Sequence, residues 1–451
     1  MTEVTVGLDI GTTSVKAVAA DGDGNVLARA RVPHSLVVPS PGRMEHDIDE
    51  AWRAGVVEAF TQVAPGHDVK AANVAAMVPS LGAVRADGTA AGPGLLYGDE
   101  RGRRPGQEIS AAPGDSGELV AFLGWLAESC PDAAGFWPAQ AAANHALCGR
   151  GAIDSTTAVT AYPLFDFVGW DTDLAAAAGV HDTAMLPEVV SGVEPVGTIT
   201  GTDALLGGGT IDALGEQLVA GADDDGDVLV ICGTTLITWA VMDDYVELPG
   251  GGWTIPHTAT GKSLFGGPSN AGGLFLNWAR ALAGEGGDDA AVDPGRVPVW
   301  LPYVRGERTP LHRSDLRARL CDLDLTHGPA EARRAAYEAA AFVVRHHLDL
   351  CADRVSPRRI VATGGGVRVE QWVQCLADGT GLPVDVVSVP EGGALGSAFI
   401  ARCVAGLEGA MTDASRWAKV ARTIEPDPRW VGPCAERYAR FRQLTAEALS
   451  P

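Results

Sequence analysis

Val4-Thr5-Val6-Gly7-Leu8-Asp9-Ile10-Gly11-Thr12-Thr13-Ser14-Val15-Lys16-Ala17-Val18-Ala19-Ala20 opens the chain as two β-like apolar runs joined by a Gly-Thr-Thr tip. About half a chain later the pattern returns in Asp227-Val228-Leu229-Val230-Ile231-Cys232-Gly233-Thr234-Thr235-Leu236-Ile237-Thr238-Trp239-Ala240-Val241. A glycine at a hairpin tip lets backbone approach an anion closely, and successive N–H groups and threonine hydroxyls donate to phosphate oxygens. One such loop alone reads as an ordinary hairpin turn. The pair, in matching context near the start of each half, reads as a duplicated phosphate clamp. Gly11, Thr12, Thr13 and Ser14 would form one side, and Gly233, Thr234 and Thr235 the other. Lys16 belongs to the same region, although strand alternation leaves its direction open.

A chain of 451 residues is too long for one compact core, so two domains of roughly 200 residues are expected. The composition, 46% hydrophobic and 20% charged with 57 glycines, describes a turn-rich α/β protein and excludes general disorder. A net charge of −23 argues against nucleic-acid or anionic-membrane partners, because each phosphate contact would work against the overall field. ATP remains compatible, given amides, a divalent cation and a few local bases. The eight dispersed cysteines contain no CxxC pair and fit a reduced, cytoplasmic setting. The N-terminus runs straight into a strand, and no stretch is apolar enough for long enough to span a bilayer.

Residues 4 to 38 read as consecutive strands, with Asp21-Gly22-Asp23-Gly24-Asn25 as a turn, followed by a helix over 48–63 and strand character over 74–84. Asp223-Asp224-Asp225-Gly226-Asp227 reads as a solvated linker and marks the boundary between domains at 1–222 and 226–451. Gly364-Gly365-Gly366 lies between an apolar run and a helical pattern over 369–378, and Gly392-Gly393-Ala394-Leu395-Gly396 opens another helix. This strand, glycine turn, helix arrangement lets backbone pack against a flat ligand.

Taken together, these segments resemble the FGGY carbohydrate kinases, relatives of xylulokinase, ribulokinase and glycerol kinase. The resemblance is carried in order by Gly7 to Lys16, Tyr97-Gly98-Asp99-Glu100-Arg101, Gly209-Thr210-Ile211-Asp212-Ala213 and the second clamp. It continues through Leu301-Pro302-Tyr303-Val304-Arg305-Gly306-Glu307-Arg308-Thr309-Pro310, Ala362 to Gly366 and Glu391 to Gly396. It implies an α/β fold of two actin-like (ribonuclease H-like) domains hinged around a cleft, sugar mainly on the first and ATP mainly on the second.

Phosphoryl transfer to an alcohol needs an in-line hydroxyl, a late proton acceptor and neutralisation of the transferring group's charge. Asp212, following Gly207-Gly208-Gly209 at the start of a helix, matches the family's catalytic aspartate; a helix N-cap is the plain alternative. Asp9 ends the first strand where the second clamp has Ile231, so Asp9, with Asp212, is the carboxylate expected to hold Mg²⁺ directly or through water. Gly364, Gly365 and Gly366 are the expected platform for base and ribose, with Gly266 and Asn270 nearby in the family pattern. Asp99 and Arg101 match the substrate-side motif, with a surface ion pair as the rival reading. Val78-Pro79-Ser80 stands where xylulokinases typically carry Met-His-Gly and glycerol kinases an arginine and a glutamate. Pro79 and Ser80 are therefore placed at the acceptor, and the sugar itself is left open, xylulose-like ketoses first.

His347 and Cys351 have a zinc-compatible spacing but read as a packed helix face, and the cluster Arg101, Arg103 and Arg104 is too small to imply nucleic acid. A homodimer is compatible with the sequence. The rival classes are an actin-like ATPase, a sugar-binding regulator without turnover, and a dinucleotide-binding oxidoreductase. The last lacks GxGxxG.

Overall fold

The computed structural model describes residues 1–102, 118–287 and 289–450. Arg103 and Arg104 lie outside the described residues. The chain divides into two units, Met1–Val219 with Glu391–Trp417, and Ala220–Pro390 with Ala418–Pro451.

In the first unit, strands β1 (Thr2–Ile10), β2 (Ser14–Ala20) and β3 (Val26–Pro33) form an antiparallel meander. β4 (His67–Ala76) pairs parallel to β1, and β5 (Pro195–Thr198), β6 (Leu205–Gly207) and β7 (Thr210–Ile211) complete the sheet in the order β5-β6-β4-β1-β2-β3, with β7 also on β4. Val4, Val6, Leu8 and Ile10 are fully buried, as a central strand covered on both faces requires. Burying each contributes about 1.5–3 kcal/mol. β3 at the edge alternates half-buried and exposed residues, the signature of one solvated face. A π-helical turn, Ile48–Ala54, runs into the helix Gly55–Val63 and packs Trp52 into the core beneath this sheet.

The second unit repeats the plan. β8 (Asp227–Cys232), β9 (Leu236–Met242), β10 (Trp253–Pro256), β11 (Ser263–Ser269), β12 (Arg359–Thr363), β13 (Val384–Val387) and β14 (Val420–Ile424) lie in the order β10-β11-β9-β8-β12-β13-β14. β8, β9 and β11 correspond to β1, β2 and β3. β12 and β13 run parallel to β8 as β4 and β6 do to β1, and an antiparallel strand closes that edge in both. These are the ribonuclease H-like sheets of an actin-like fold.

The chain returns to the first unit at residue 391, which a single boundary near 222–226 does not anticipate. The helix Gly392–Val404 lies directly on β1: a Cβ added at Gly7 would sit 1.7 Å from the Ala394 carbonyl oxygen. It also meets the helix Asp212–Ala220, where a Cβ on Gly396 would fall 2.0 Å from the Gly215 oxygen. Gly396 therefore serves backbone-to-backbone packing, whereas a Cβ on Gly393 would meet the Asp9 carboxyl carbon at 3.1 Å. Asp227 likewise departs from a solvated linker: it is buried in β8 and paired with Arg359 at 2.9 Å.

Candidate active site

Residue register brings the first unit's acids together. Asp9, next to last in β1, lies opposite Lys16 of β2 and beside Ala75 of β4, while Thr210 and Ile211 of β7 pair with Ala75 and Ala76. β1, β4 and β7 thus end side by side, the edge where parallel α/β sheets bind ligands. The chain leaves β7 directly into the helix that begins with Asp212.

Directly opposed cross-strand residues point to the same face, which settles the direction of Lys16. Its Nζ lies 3.1 Å from Asp9 Oδ2, and the Asp9 charge raises the ammonium's pKa. Asp9 Oδ1 is buried without a hydrogen-bond partner. Asp212 is half-buried, and its Oδ1 accepts from the Ala213 N–H at 2.7 Å. Burial first, and the Asp9 charge second, push its pKa up to about 6, against the pull of Lys16.

One helical turn beyond Asp212 stands Glu216, which the sequence reading passed over. It is buried, accepts from the Gly393 N–H, keeps Oε2 unpartnered and is pushed up to about 8, mainly by burial. Its signal was the four-residue spacing that puts two acids on one helix face. With Glu216 largely protonated at neutral pH, the anionic groups here are Asp9 and Asp212 beside one ammonium. Asp9, with an orphaned buried oxygen, and neighbouring Asp212 are the donors that fit Mg²⁺. Among the described residues no group of three or more His, Cys, Asp or Glu could hold a metal ion, so an ion on the two aspartates would rely on phosphate and water for its remaining ligands.

The first hairpin is closed by Gly11 N–H to Ser14 O at 3.1 Å. Thr13 is exposed at its tip, whereas Thr12 and Ser14 are buried. Thr12 Oγ1 bonds the Tyr97 hydroxyl at 2.9 Å, and Ser14 Oγ accepts from Arg31 Nε at 3.1 Å. Of the three hydroxyls, the Thr13 hydroxyl is thus the one presented to solvent.

Asp99 and Arg101, the residues expected on the acceptor side, form a buried pair, not a surface one. Asp99 Oδ1 accepts from Arg101 N–H and Nε, each at 2.9 Å, and Oδ2 from Arg101 Nη2 at 2.6 Å and Met44 N–H at 2.7 Å. Glu45 adds a contact to Arg101 Nη2 at 2.7 Å, and the guanidinium stacks 4.8 Å over Trp125. Asp99 is committed to holding Arg101, so acceptance from sugar hydroxyls does not fall to it in this arrangement. Pro79 and Ser80 are buried, and Ser80 Oγ accepts the Ala139 N–H at the start of the helix Ala139–Cys148.

In the second unit, the second hairpin exposes Thr234 and half-buries Gly233 and Thr235. The helix Gly273–Ala283 docks on it through Gly273 N–H to Gly233 O at 2.8 Å and Leu274 N–H to Thr234 O at 3.1 Å. Gly364, at φ 86°, packs against Cys232 O, so the glycine turn after β12 lies beside the hairpin. Gly366 is pressed against Trp372, but Gly365 is exposed with open space around it. Two of the expected residues serve the framework: Gly266 is buried within β11, where a Cβ would meet Thr238 O at 2.0 Å. The Asn270 amide is bonded to the Arg305 and Gly306 carbonyls. His347 and Cys351 are bonded to carbonyls of their own helix, as a packed face requires.

Comparison with known proteins gives the arrangement its relatives. Models of the N-terminal and C-terminal domains of the FGGY family of carbohydrate kinases match residues 4–86 and 252–405. A probable L-xylulose kinase of Pasteurella multocida is 25% identical over 98% of both chains. A xylulose kinase of Streptomyces rubiginosus is 29% identical over 93% of this chain and 92% of its own. Among solved structures, gluconate kinase from Lactobacillus acidophilus superposes with a TM-score of 0.81 at 20% identity over 100% of this chain and 99% of that one. Xylulose kinase from Rhodospirillum rubrum gives 0.77 at 26% identity over 98% of both.

Proposed function

The chain belongs to the FGGY family of carbohydrate kinases, and we propose that it transfers the γ-phosphoryl group of MgATP to a hydroxyl of a small ketose or polyol, a xylulose-like sugar first. The observation that carries this reading is Asp212, half-buried beside Asp9 and Lys16 and titrating near 6. Such a carboxylate is ionised at neutral pH yet basic enough to take a hydroxyl proton late in the transfer. The acceptor oxygen forms the new P–O bond, the bond to ADP breaks, and the proton goes to Asp212. Gly11 to Ser14 and Gly233 to Thr235 bind phosphate oxygens, Lys16 offsets developing charge, and Gly365 supports the nucleotide. A magnesium ion on Asp9 and Asp212 would screen the phosphate oxygens. Arg101, held by Asp99 and Glu45, orients the sugar. The curated xylulose and L-xylulose kinases among the relatives support the choice of acceptor.

The test is ADP release with MgATP against a panel of pentuloses, hexuloses, tetritols and glycerol. One or a few acceptors should support turnover, and Asp212→Asn should lower kcat by about 10²–10⁴. ADP formed equally without sugar would favour an actin-like ATPase, and sugar binding without ADP a non-catalytic regulator.

A further inference from the structure

Three consecutive residues, Met44, Glu45 and His46, join the acceptor-side pair to the phosphate hairpin. Met44 N–H donates to Asp99 Oδ2 at 2.7 Å, and Glu45 Oε2 contacts Arg101 Nη2 at 2.7 Å. His46 Nε2 reaches the Thr12 carbonyl at 2.8 Å. Trp52 Nε1–H donates to His46 Nδ1 at 3.1 Å, which fixes the tautomer: Nδ1 accepts, so Nε2–H donates to Thr12. Burial holds His46 neutral, with its pKa lowered to about 4, and so preserves this polarity. A second route runs through Tyr97, two residues before Asp99, whose hydroxyl bonds Thr12 Oγ1 at 2.9 Å. Glu45–His46 is itself a strand paired with Ala90–Leu96, which leads into Tyr97. Thr12 is thus gripped at its hydroxyl by the segment that carries Asp99 and Arg101, and at its carbonyl by the segment bonded to that pair.

We infer that His46 and Tyr97 are positioning residues that couple occupation of the acceptor site to the phosphate affinity of the first hairpin. The inference rests on the kinase reading. A sugar engaging Arg101 restrains Glu45 and the Tyr97 segment, and through them fixes Thr12, so the hairpin amides are ordered before phosphate arrives. The free energy of ordering is then shared between the two ligands, which is positive coupling.

The experiment measures the dissociation constant of MgADP with and without saturating D-xylulose or L-xylulose, in the full chain and in Tyr97→Phe and His46→Gln. In the wild type at least one ketose should tighten MgADP by about fivefold or more. Tyr97→Phe, which deletes one hydroxyl, should bring that ratio close to one while MgADP affinity without sugar and the thermal midpoint stay within error. His46→Gln should act in the same direction. A wild-type ratio of one with both ketoses, or an unchanged ratio in a folded Tyr97→Phe, overturns the coupling even where turnover stands. A ratio present while no acceptor of the panel supports turnover retains the coupling and removes the kinase reading.

Discussion

Asp9 Oδ2 and Lys16 Nζ, 3.1 Å apart, face each other across the β1–β2 ladder at the rim that also carries Asp212. The lysine leaves the other Asp9 oxygen open and favours the ionised form of Asp212. Because the base must be ionised, kcat/KM should rise with pH through the Asp212 titration near 6. Lys16→Met removes a cation that stabilises that carboxylate, so the same limb should move to higher pH. A pH–rate profile of the two proteins at fixed Mg²⁺ checks this; a limb that stays or moves down refutes it.

Glu216 occupies the same helix face as Asp212, the proposed base, but differs from it in protonation. It lies deeper, and at neutral pH its raised pKa, about 8, leaves it mostly protonated and unable to serve as the base. Glu216→Gln preserves shape and removes only the charge, so kcat should change by less than about tenfold, against the loss of about 10²–10⁴ for Asp212→Asn. Steady-state kinetics decide between them, and equal losses would move the base assignment.

Two glycines in the opening stretch separate framework from ligand approach. At Gly7 a Cβ would be 1.7 Å from Ala394 O, 2.5 Å from Ala398 N and 2.8 Å from Ala394 C, all backbone atoms. Gly7→Ala should therefore push the Gly392–Val404 helix off β1 and lower the thermal midpoint substantially. At Gly11 the single neighbour would be Ser14 O at 3.4 Å, an ordinary contact, and its φ is not positive. Gly11→Ala should keep the wild-type midpoint and weaken ATP, seen as a raised KM for ATP. Equal effects on stability would contradict the distinction.

What the sequence carried and what it withheld follow from the range of each interaction. The paired hairpins, the turn at Asp21 and the helix starts at Asp212 and Gly392 are local patterns, and all are present. Parallel pairing of β1, β4 and β7 also brings Asp9 and Asp212 to one rim. The return of Glu391–Trp417 to the first unit was hidden, because its decisive contact, Gly7 against Ala394, joins opposite ends of the chain. Asp99 matches the family's substrate-side motif, and nothing nearby in sequence announces Met44 as its partner. The family pattern places Gly266 near the nucleotide, and a glycine demanded by a neighbouring strand looks the same in sequence as one demanded by a ligand.

Glu338 tests the packing of the second unit. It is fully buried and held by Arg437 at 2.6 and 2.7 Å and by Arg334 at 2.8 Å, while Arg334 also reaches Asp378 at 2.7 Å. Truncation to alanine leaves buried guanidinium charge without its main acceptor, which costs about 3–5 kcal/mol. Urea unfolding should show that loss for Glu338→Ala, and a change below about 1 kcal/mol would mean that solvent reaches the arginines.

His46 carries a pH dependence of stability separate from catalysis. Its pKa is about 4 in the folded chain, lowered chiefly by burial, against an ordinary value of 6.5. Between those values the unfolded chain binds the extra proton and the folded one does not, so stability rises with pH across this window. The contribution is fully present above about 6.5 and is lost as pH falls toward 4, amounting to about 3 kcal/mol. Protonation would also turn Nδ1 from acceptor to donor against Trp52 Nε1–H. Burial also lowers the pKa of His346 and His347, so the measurable quantity is the difference between wild type and His46→Gln. The variant should be less acid-sensitive, with the gap in urea midpoint narrowing as pH drops from 7 to 4. Parallel curves would mean that His46 is charged in the folded chain and that the tautomer assigned to it does not hold.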